Sequence, residues 1–358
     1  MDAKDISTKT LLALQYVEEM SYKKKSALLE KFGEPTDILS KRSIVREILG
    51  EEHARSFYDN FENIDRIVER MQKENVHWLT YLDDDYPEQL LEICDYPHVL
   101  FFKGSIDALR SNGIAIVGTR RPTRYGAKVA QDFANEFAKA SVVVISGLAR
   151  GIDGIAHKAC VDNNSATVAV FACGLDICYP AEHRGLQDAI LENGGTLVSE
   201  YPLGTKPLQY HFPERNRIIS GLSRAVFLPQ AASKSGSLIT MRLAIEQDKD
   251  IFIAPNNIYD EESTGSNQLL REMPHAMAIS PEDVLDALHV SREVVKAEPI
   301  ELSIVENLIV ESLHDDEKHF EELLEASGLS VSELTGVLFD MELNGIIEKT
   351  AGNYYVLA

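Results

Sequence analysis

A chain of 358 residues with 44% hydrophobic content can bury a sizeable core in two or three domains, and no run approaches the ~20 apolar residues of a membrane span. The N-terminal MDAKDISTKT lacks a charged-then-apolar secretion pattern, so a cytoplasmic location without a membrane partner is expected. The net charge of -22, taken whole, argues against nucleic acid, because phosphates are bound through lysine and arginine.

The distribution of charge alters that reading. Residues 113–160 carry 7 basic against 3 acidic side chains and residues 201–245 carry 6 against 1, whereas residues 301–358 carry 2 against 13. An acidic protein with one basic mouth suits a polyanion held at a defined place. Cys94, Cys160, Cys173 and Cys178 show no paired CxxC spacing and read as reduced core thiols rather than disulfides or zinc ligands.

Residues 1–75 read as a small helical domain of the SAM or helix-hairpin-helix kind, with Leu11, Leu12, Leu14 and Val17 leading into Leu28, Leu29 and Phe32 before Gly33-Glu34-Pro35 breaks the chain. A hairpin that grips DNA backbone wants glycines, and Glu18-Glu19-Met20-Ser21 stands there instead. A packing or docking domain is therefore expected. From Asn75 to Gly104, aromatic and proline clusters around Trp78 and Phe101-Phe102 suggest edge strands that lead into the main sheet.

From Gly113 the pattern is strand, loop, helix, repeated, with strands expected at 113–117, 142–145, 167–172, 196–199, 225–228 and 251–254. Such alternation predicts an α/β domain over 76–290, a Rossmann-like, doubly wound and mostly parallel sheet whose post-strand loops share one ligand-binding edge. A helix is expected near Gly126, with Val129, Phe133, Phe137 and Ala140 on one face. Ser291 to Pro299 reads as a charged linker. In 300–358, three helices and two short strands around Gly352-Asn353 spell a winged helix, whose acidity favours a protein contact over a duplex.

Two turns on the ligand edge look built for phosphate: Gly118-Thr119-Arg120, and Ser146-Gly147 through Arg150-Gly151. Neither GxGxxG nor a Walker motif is present, and the turns alone would suit any nucleotide pocket. Phe212, followed by Arg215, Asn216 and Arg217, offers base stacking beside cations, as single-strand binders need; a core position for Phe212 is the alternative. Lys234, Ser235, Gly236 and Ser237 open another helix, and their hydroxyls either cap it or meet a phosphate. Asp153 and His157 share a helix face, but no third ligand stands at metal spacing. Asp153 is expected as a helix cap or turn residue and His157 as a structural hydrogen-bonding group, with no metal and no catalytic set.

Together, Gly118-Thr119-Arg120, SGLARGID (146–153) with Ala156-His157, Gly174-Leu175-Asp176 before Tyr179-Pro180, FPERNRIISGLS (212–223), KSGSLIT (234–240) and Asp85-Tyr86-Pro87 resemble the DNA processing protein A (DprA/Smf) family. The likeness covers about 80 to 285. It implies a non-enzymatic protein without a cofactor that binds single-stranded DNA, forms a homodimer through the Rossmann-like domain, and loads the recombinase RecA during natural transformation. The family's pocket falls on Gly118, Arg120, Ser146, Gly147, Arg150, Gly151, Phe212, Arg215, Asn216 and Arg217. The chain departs from the pattern where Gln209 replaces a basic residue, with Lys206 near, and at Gly265-Ser266-Asn267 and His275-Ala276. The rival from another class is a lysine-decarboxylase-like nucleotide hydrolase; its PGGxGTxxE segment would fall near Ser233 to Arg242, which holds no glutamate.

Overall fold

The computed structural model describes residues 3–290, 302–313, 317–343, 346–350 and 352–357. It divides into two units, Met1–Arg292 and Glu293–Ala358. The expected linker at 291–299 lies outside the described residues, as does Gly345.

The first unit begins with six helices from Ala3–Gln15 to Ile64–Lys73. Gly33, at φ 73°, closes the second of them by donating its N–H to the Leu29 carbonyl, and Pro35 starts the third. Their apolar stripes, including Leu11, Leu28, Phe57 and Met71, bury against Phe101, Leu197 and Leu203. These helices therefore share a core with the sheet region.

The main sheet has eight strands: β1 (His77–Thr80), β2 (Val99–Gly104), β3 (Gly113–Ile116), β4 (Val144–Ser146), β5 (Thr167–Phe171), β6 (Thr196–Ser199), β7 (Ser223–Leu228) and β8 (Asp250–Ile253). Their order is β1-β2-β6-β5-β4-β3-β7-β8. β1 pairs antiparallel with β2 and β2 with β6, while the rest is parallel. Alternation along β3 sends Ile114 and Ile116 to one face and Ala115 to the other. The first face packs on Phe133 and Phe137 of the Arg124–Lys139 helix and Ala156 of the Ile152–Asp162 helix. The second packs on Ile218, Ile219 and Leu222 of the His211–Leu222 helix and Met241 of the Ser237–Glu246 helix.

Boundaries shift for local reasons. The first sheet helix starts at Arg124 because the Thr123 hydroxyl accepts from the Gly126 N–H at 3.2 Å. β4 starts at Val144, since Val142 still donates to the Phe137 carbonyl in a turn where Ser141 sits at φ 56°. The four cysteines are free, but Cys94 is exposed and Cys178 only half-buried, so the expectation of core thiols is corrected for these two.

In the second unit the helices Ile304–Leu313, Phe320–Ser327 and Val331–Leu343 pack Ile309, Leu323, Leu338 and Met341 on Ile347 and Tyr355. The strands β10 (Ile347–Thr350) and β11 (Tyr354–Leu357) form the expected hairpin, and a short strand β9 (Lys318–His319) adds a third. This is the winged-helix arrangement.

Candidate nucleic-acid interface

The loops after β3 and β4 are fastened to each other. Gly118 packs against Ile152, and the Thr119 carbonyl accepts the Ile152 N–H at 3.2 Å. Gly151 holds φ 76°, and a Cβ there would fall 2.4 Å from the Thr119 oxygen, so only glycine lets the turns meet. Thr119 is buried, donating its N–H to the Gln230 carbonyl and its hydroxyl to Glu262 at 2.8 Å. It is a brace rather than a ligand group, and the exposed side chains of this turn are Arg120 and Arg121.

Two amides of the second turn, expected as a phosphate cradle, are satisfied from inside. The Asp153 carboxylate accepts the N–H groups of Gly147 (3.2 Å) and Ala149 (3.4 Å). The buried Ser146 hydroxyl donates to the Ile116 carbonyl at 2.6 Å. These donors are consumed by protein acceptors, so Ser146 and the Gly147 amide shape the turn, while Gly147 itself lines the cleft floor. Asp153 stands inside the helix that Gly151 caps and turns its side chain back to hold the loop. Burial raises its pKa against the opposing effect of Arg215 and the two amides.

His157 is fully buried beneath this turn. The Thr167 hydroxyl donates to the Val144 carbonyl at 2.6 Å, so it accepts from His157 Nδ1–H at 2.8 Å. Burial lowers the imidazole pKa to about 3, leaving a neutral ring that ties the helix to β5. Among the described residues no cluster of three or more His, Cys, Asp or Glu could hold a metal ion.

The His211–Leu222 helix forms the opposite wall. Phe212 is half-buried, with the Arg120 guanidinium 5.4 Å from its ring centre and the Tyr179 ring 5.4 Å away at 57°. The ring therefore lines the cleft instead of joining the core. Tyr179 is 43% exposed and completes an aromatic pair that the sequence displayed only as part of a Tyr-Pro motif. Arg150 stands on the near rim, 64% exposed, and reaches Glu182 with Nη2 at 2.7 Å and with Nε. An anion competing for Arg150 has to displace that carboxylate.

The remaining arginines differ from expectation. Arg215 is buried and donates Nη1 to the Gly147 carbonyl at 2.9 Å and to the Val170 carbonyl. Burial lowers its pKa to about 10, with Asp153 opposing, so it stays charged and forms part of the cleft floor as a strut. A Cβ on Gly147 would strike this guanidinium at 2.6 Å. Arg217 leaves the cleft altogether, because it lies on the other face of the helix and pairs there with Glu200 and Asp95. Asn216 is half-buried between them in sequence.

Lys234 to Ser237 follow β7, while the cleft lies over β4 and β5, on the other side of β3. Ser235 accepts the Ser237 N–H at 3.4 Å and bonds its hydroxyl at 2.7 Å, and Ser237 is buried. These hydroxyls order the start of their helix; Lys234 and Gly236 are exposed but do not line the cleft.

The assembled site is an open cleft, floored by Gly147, Phe171 and Arg215 and rimmed by Arg120, Arg150, Tyr179 and Phe212. Stacking surface and guanidinium groups meet there at the mouth of the sheet.

The family model for DNA recombination-mediator protein A matches residues 77–289, and that for the DprA winged helix domain matches residues 296–353. The chain is 36% identical over 295 residues to Protein Smf of Escherichia coli, covering 79% of this chain and 78% of that protein. It is 39% identical over 259 residues to DNA processing protein DprA of Streptococcus pneumoniae, covering 71% and 89%. The solved DNA processing protein A from Streptococcus pneumoniae matches with a TM-score of 0.66 at 34% identity, covering 78% of this chain and 97% of that one. DNA processing protein A from Helicobacter pylori, whose structure is described for its single-stranded DNA binding mode, matches with a TM-score of 0.54 at 32% identity, covering 60% and 95%. With two family models in register along the chain and the motif residues gathered at one sheet edge, this protein belongs to the DNA recombination-mediator protein A (DprA/Smf) family.

Proposed function

We propose that the cleft binds single-stranded DNA and that the protein acts, without catalysis, as a recombination mediator that loads RecA during natural transformation. The observation that carries the reading is the Arg120–Phe212–Tyr179 cluster: a guanidinium beside two rings on an open surface suits a stacked base and its phosphate. Of the basic surplus in 113–160 and 201–245, Arg120, Arg150 and Arg215 come to the cleft, a local positive field in a chain of net charge -22. The names of the Streptococcus pneumoniae relative and of the Helicobacter pylori structure point the same way. The rival nucleotide-hydrolase reading lacks its glutamate, since Ser233 to Arg242 holds none.

In this reading the protein works in the cytoplasm as a homodimer joined through its sheet region. Arg120 meets a phosphate, Phe212 and Tyr179 hold a base, and Arg150 exchanges Glu182 for the strand. The winged helix contacts protein rather than duplex. Fluorescence anisotropy with an oligo-dT strand tests the cleft: Arg120→Glu should lower affinity about a hundredfold at ~50 mM salt, and unchanged affinity would refute the assignment. Incubation with AMP should release no base. Co-sedimentation with purified recombinase on the strand tests the mediator role, and light scattering tests the dimer.

A further inference from the structure

Arg217 is expected among the cations that follow Phe212, and its actual partners give it different work. It lies five residues beyond Phe212, about 140° around the same helix. Its side chain is 7% exposed. Nη2 donates to both Glu200 oxygens at 2.9 and 2.8 Å, Nε lies 3.2 Å from Asp95, and the guanidinium sits 5.7 Å from the Tyr22 ring.

The contacts continue into the N-terminal helices. The Glu200 carbonyl accepts from Gln15 Nε2 at 2.7 Å, and Gln15 Oε1 accepts from Lys25 Nζ at 3.0 Å. Tyr22 stacks on the buried His98 at 5.2 Å. The neighbouring Tyr201 grips the start of the cleft helix, its hydroxyl donating to Glu214 at 2.9 Å and its ring stacking on His211 at 4.1 Å. One helix thus carries Phe212 toward the cleft and Arg217 into a buried junction with the N-terminal region.

We propose that Arg217 and Glu200 are positioning residues: they clamp the Phe212 helix to the end of β6, where Gln15 and Tyr22 of the N-terminal helices also bear, and that clamp sets the distance between Phe212 and Arg120 on which strand binding depends. The inference rests on the single-strand reading of the cleft. One planar guanidinium meets both Glu200 oxygens through Nη2 and Asp95 through Nε, so shortening or neutralising the pair lets the helix turn or slide. The N-terminal region then tunes the cleft without touching DNA.

The test is oligo-dT affinity of the full chain as a function of salt, for Arg217→Ala, Arg217→Lys, Glu200→Gln and Arg120→Ala. Each phosphate contact contributes about 0.7 to the slope of log K against log salt for a single strand. Arg120→Ala should reduce the slope by about that amount. Arg217→Ala and Glu200→Gln should each weaken binding about tenfold with the slope unchanged, and the lysine variant should restore only part of the loss. Combining Arg217→Ala with Glu200→Gln should cost no more than the worse single change. A slope reduced by Arg217→Ala, or full affinity in both variants, overturns the proposal. If Arg217→Ala does not fold, Glu200→Gln and Arg217→Lys decide it by the same two readouts. Absence of binding by the unaltered chain would instead sink the single-strand reading itself.

Discussion

Arg120 and Arg150 stand at the rim of the cleft, whereas Arg215 is buried in its floor and Arg217 in the junction behind the Phe212 helix, and the same side chain does opposite work exposed and buried. At the rim, Arg150 is 64% exposed and its carboxylate partner 49%, a pair that water screens and a polyanion can open. In the junction behind the cleft helix, Arg217 is 7% exposed and Glu200 13%, a pair whose separation would strand two buried charges. A positive charge near phosphate is therefore insufficient to define a ligand group. What matters is whether its hydrogen bonds are already committed.

The comparison can be broken most easily at Arg215. Arg215→Ala removes the strut between Gly147, Val170 and Asp153, and it should destabilise the fold by about 3–5 kcal/mol, about 10 °C in Tm by calorimetry. A folded variant of unchanged Tm that only loses DNA would move Arg215 to the rim class. The buried histidines give the next effect. His157 and His98 have folded pKa values of about 3 and about 4. Both lie below the unfolded ~6.5, so the unfolded chain takes up the proton first and stability, full above pH 6.5, falls as pH drops toward the folded values. Each histidine should cost about 2 kcal/mol at pH 5. Urea titrations at pH 7 and 5 check this, with His157→Gln flattening the dependence.

Phe212→Ala should lower oligo-dT affinity about tenfold, about 1.4 kcal/mol, with little change in Tm, since the ring is half-buried at a surface. A large fall in Tm would instead mark a core side chain. The smallest effect is expected at Arg150, where Arg150→Ala should weaken binding less than about threefold because Glu182 already offsets the charge. Glu182→Gln sharpens the contrast by freeing Arg150, and anisotropy should then show tighter binding.

The doubly wound sheet was legible because buried parallel strands are short apolar runs, and GIAI (113–116), TVAVF (167–171) and TLVS (196–199) are buried at every residue. The first two N-terminal helices were legible from their leucine spacing. The antiparallel attachment of β1 and β2 was expected only as edge strands, since pairing partners depend on contacts far apart in sequence. Motif order brought Arg120, Arg150 and Phe212 to one mouth, and Tyr179 lay in plain view without a sign of its use.

The sequence by itself determined the elements, the family and the edge on which the glycine turns lie, because periodicity and turn chemistry act over a few residues. Only the tertiary structure decided which polar groups face outward. Asp153 takes the amides of its own turn, Ser146 bonds a neighbouring strand, and Arg217 meets Glu200 across the helix. Each of those choices is made by a partner brought close through folding, since a buried donor or acceptor has to be satisfied wherever the chain carries it.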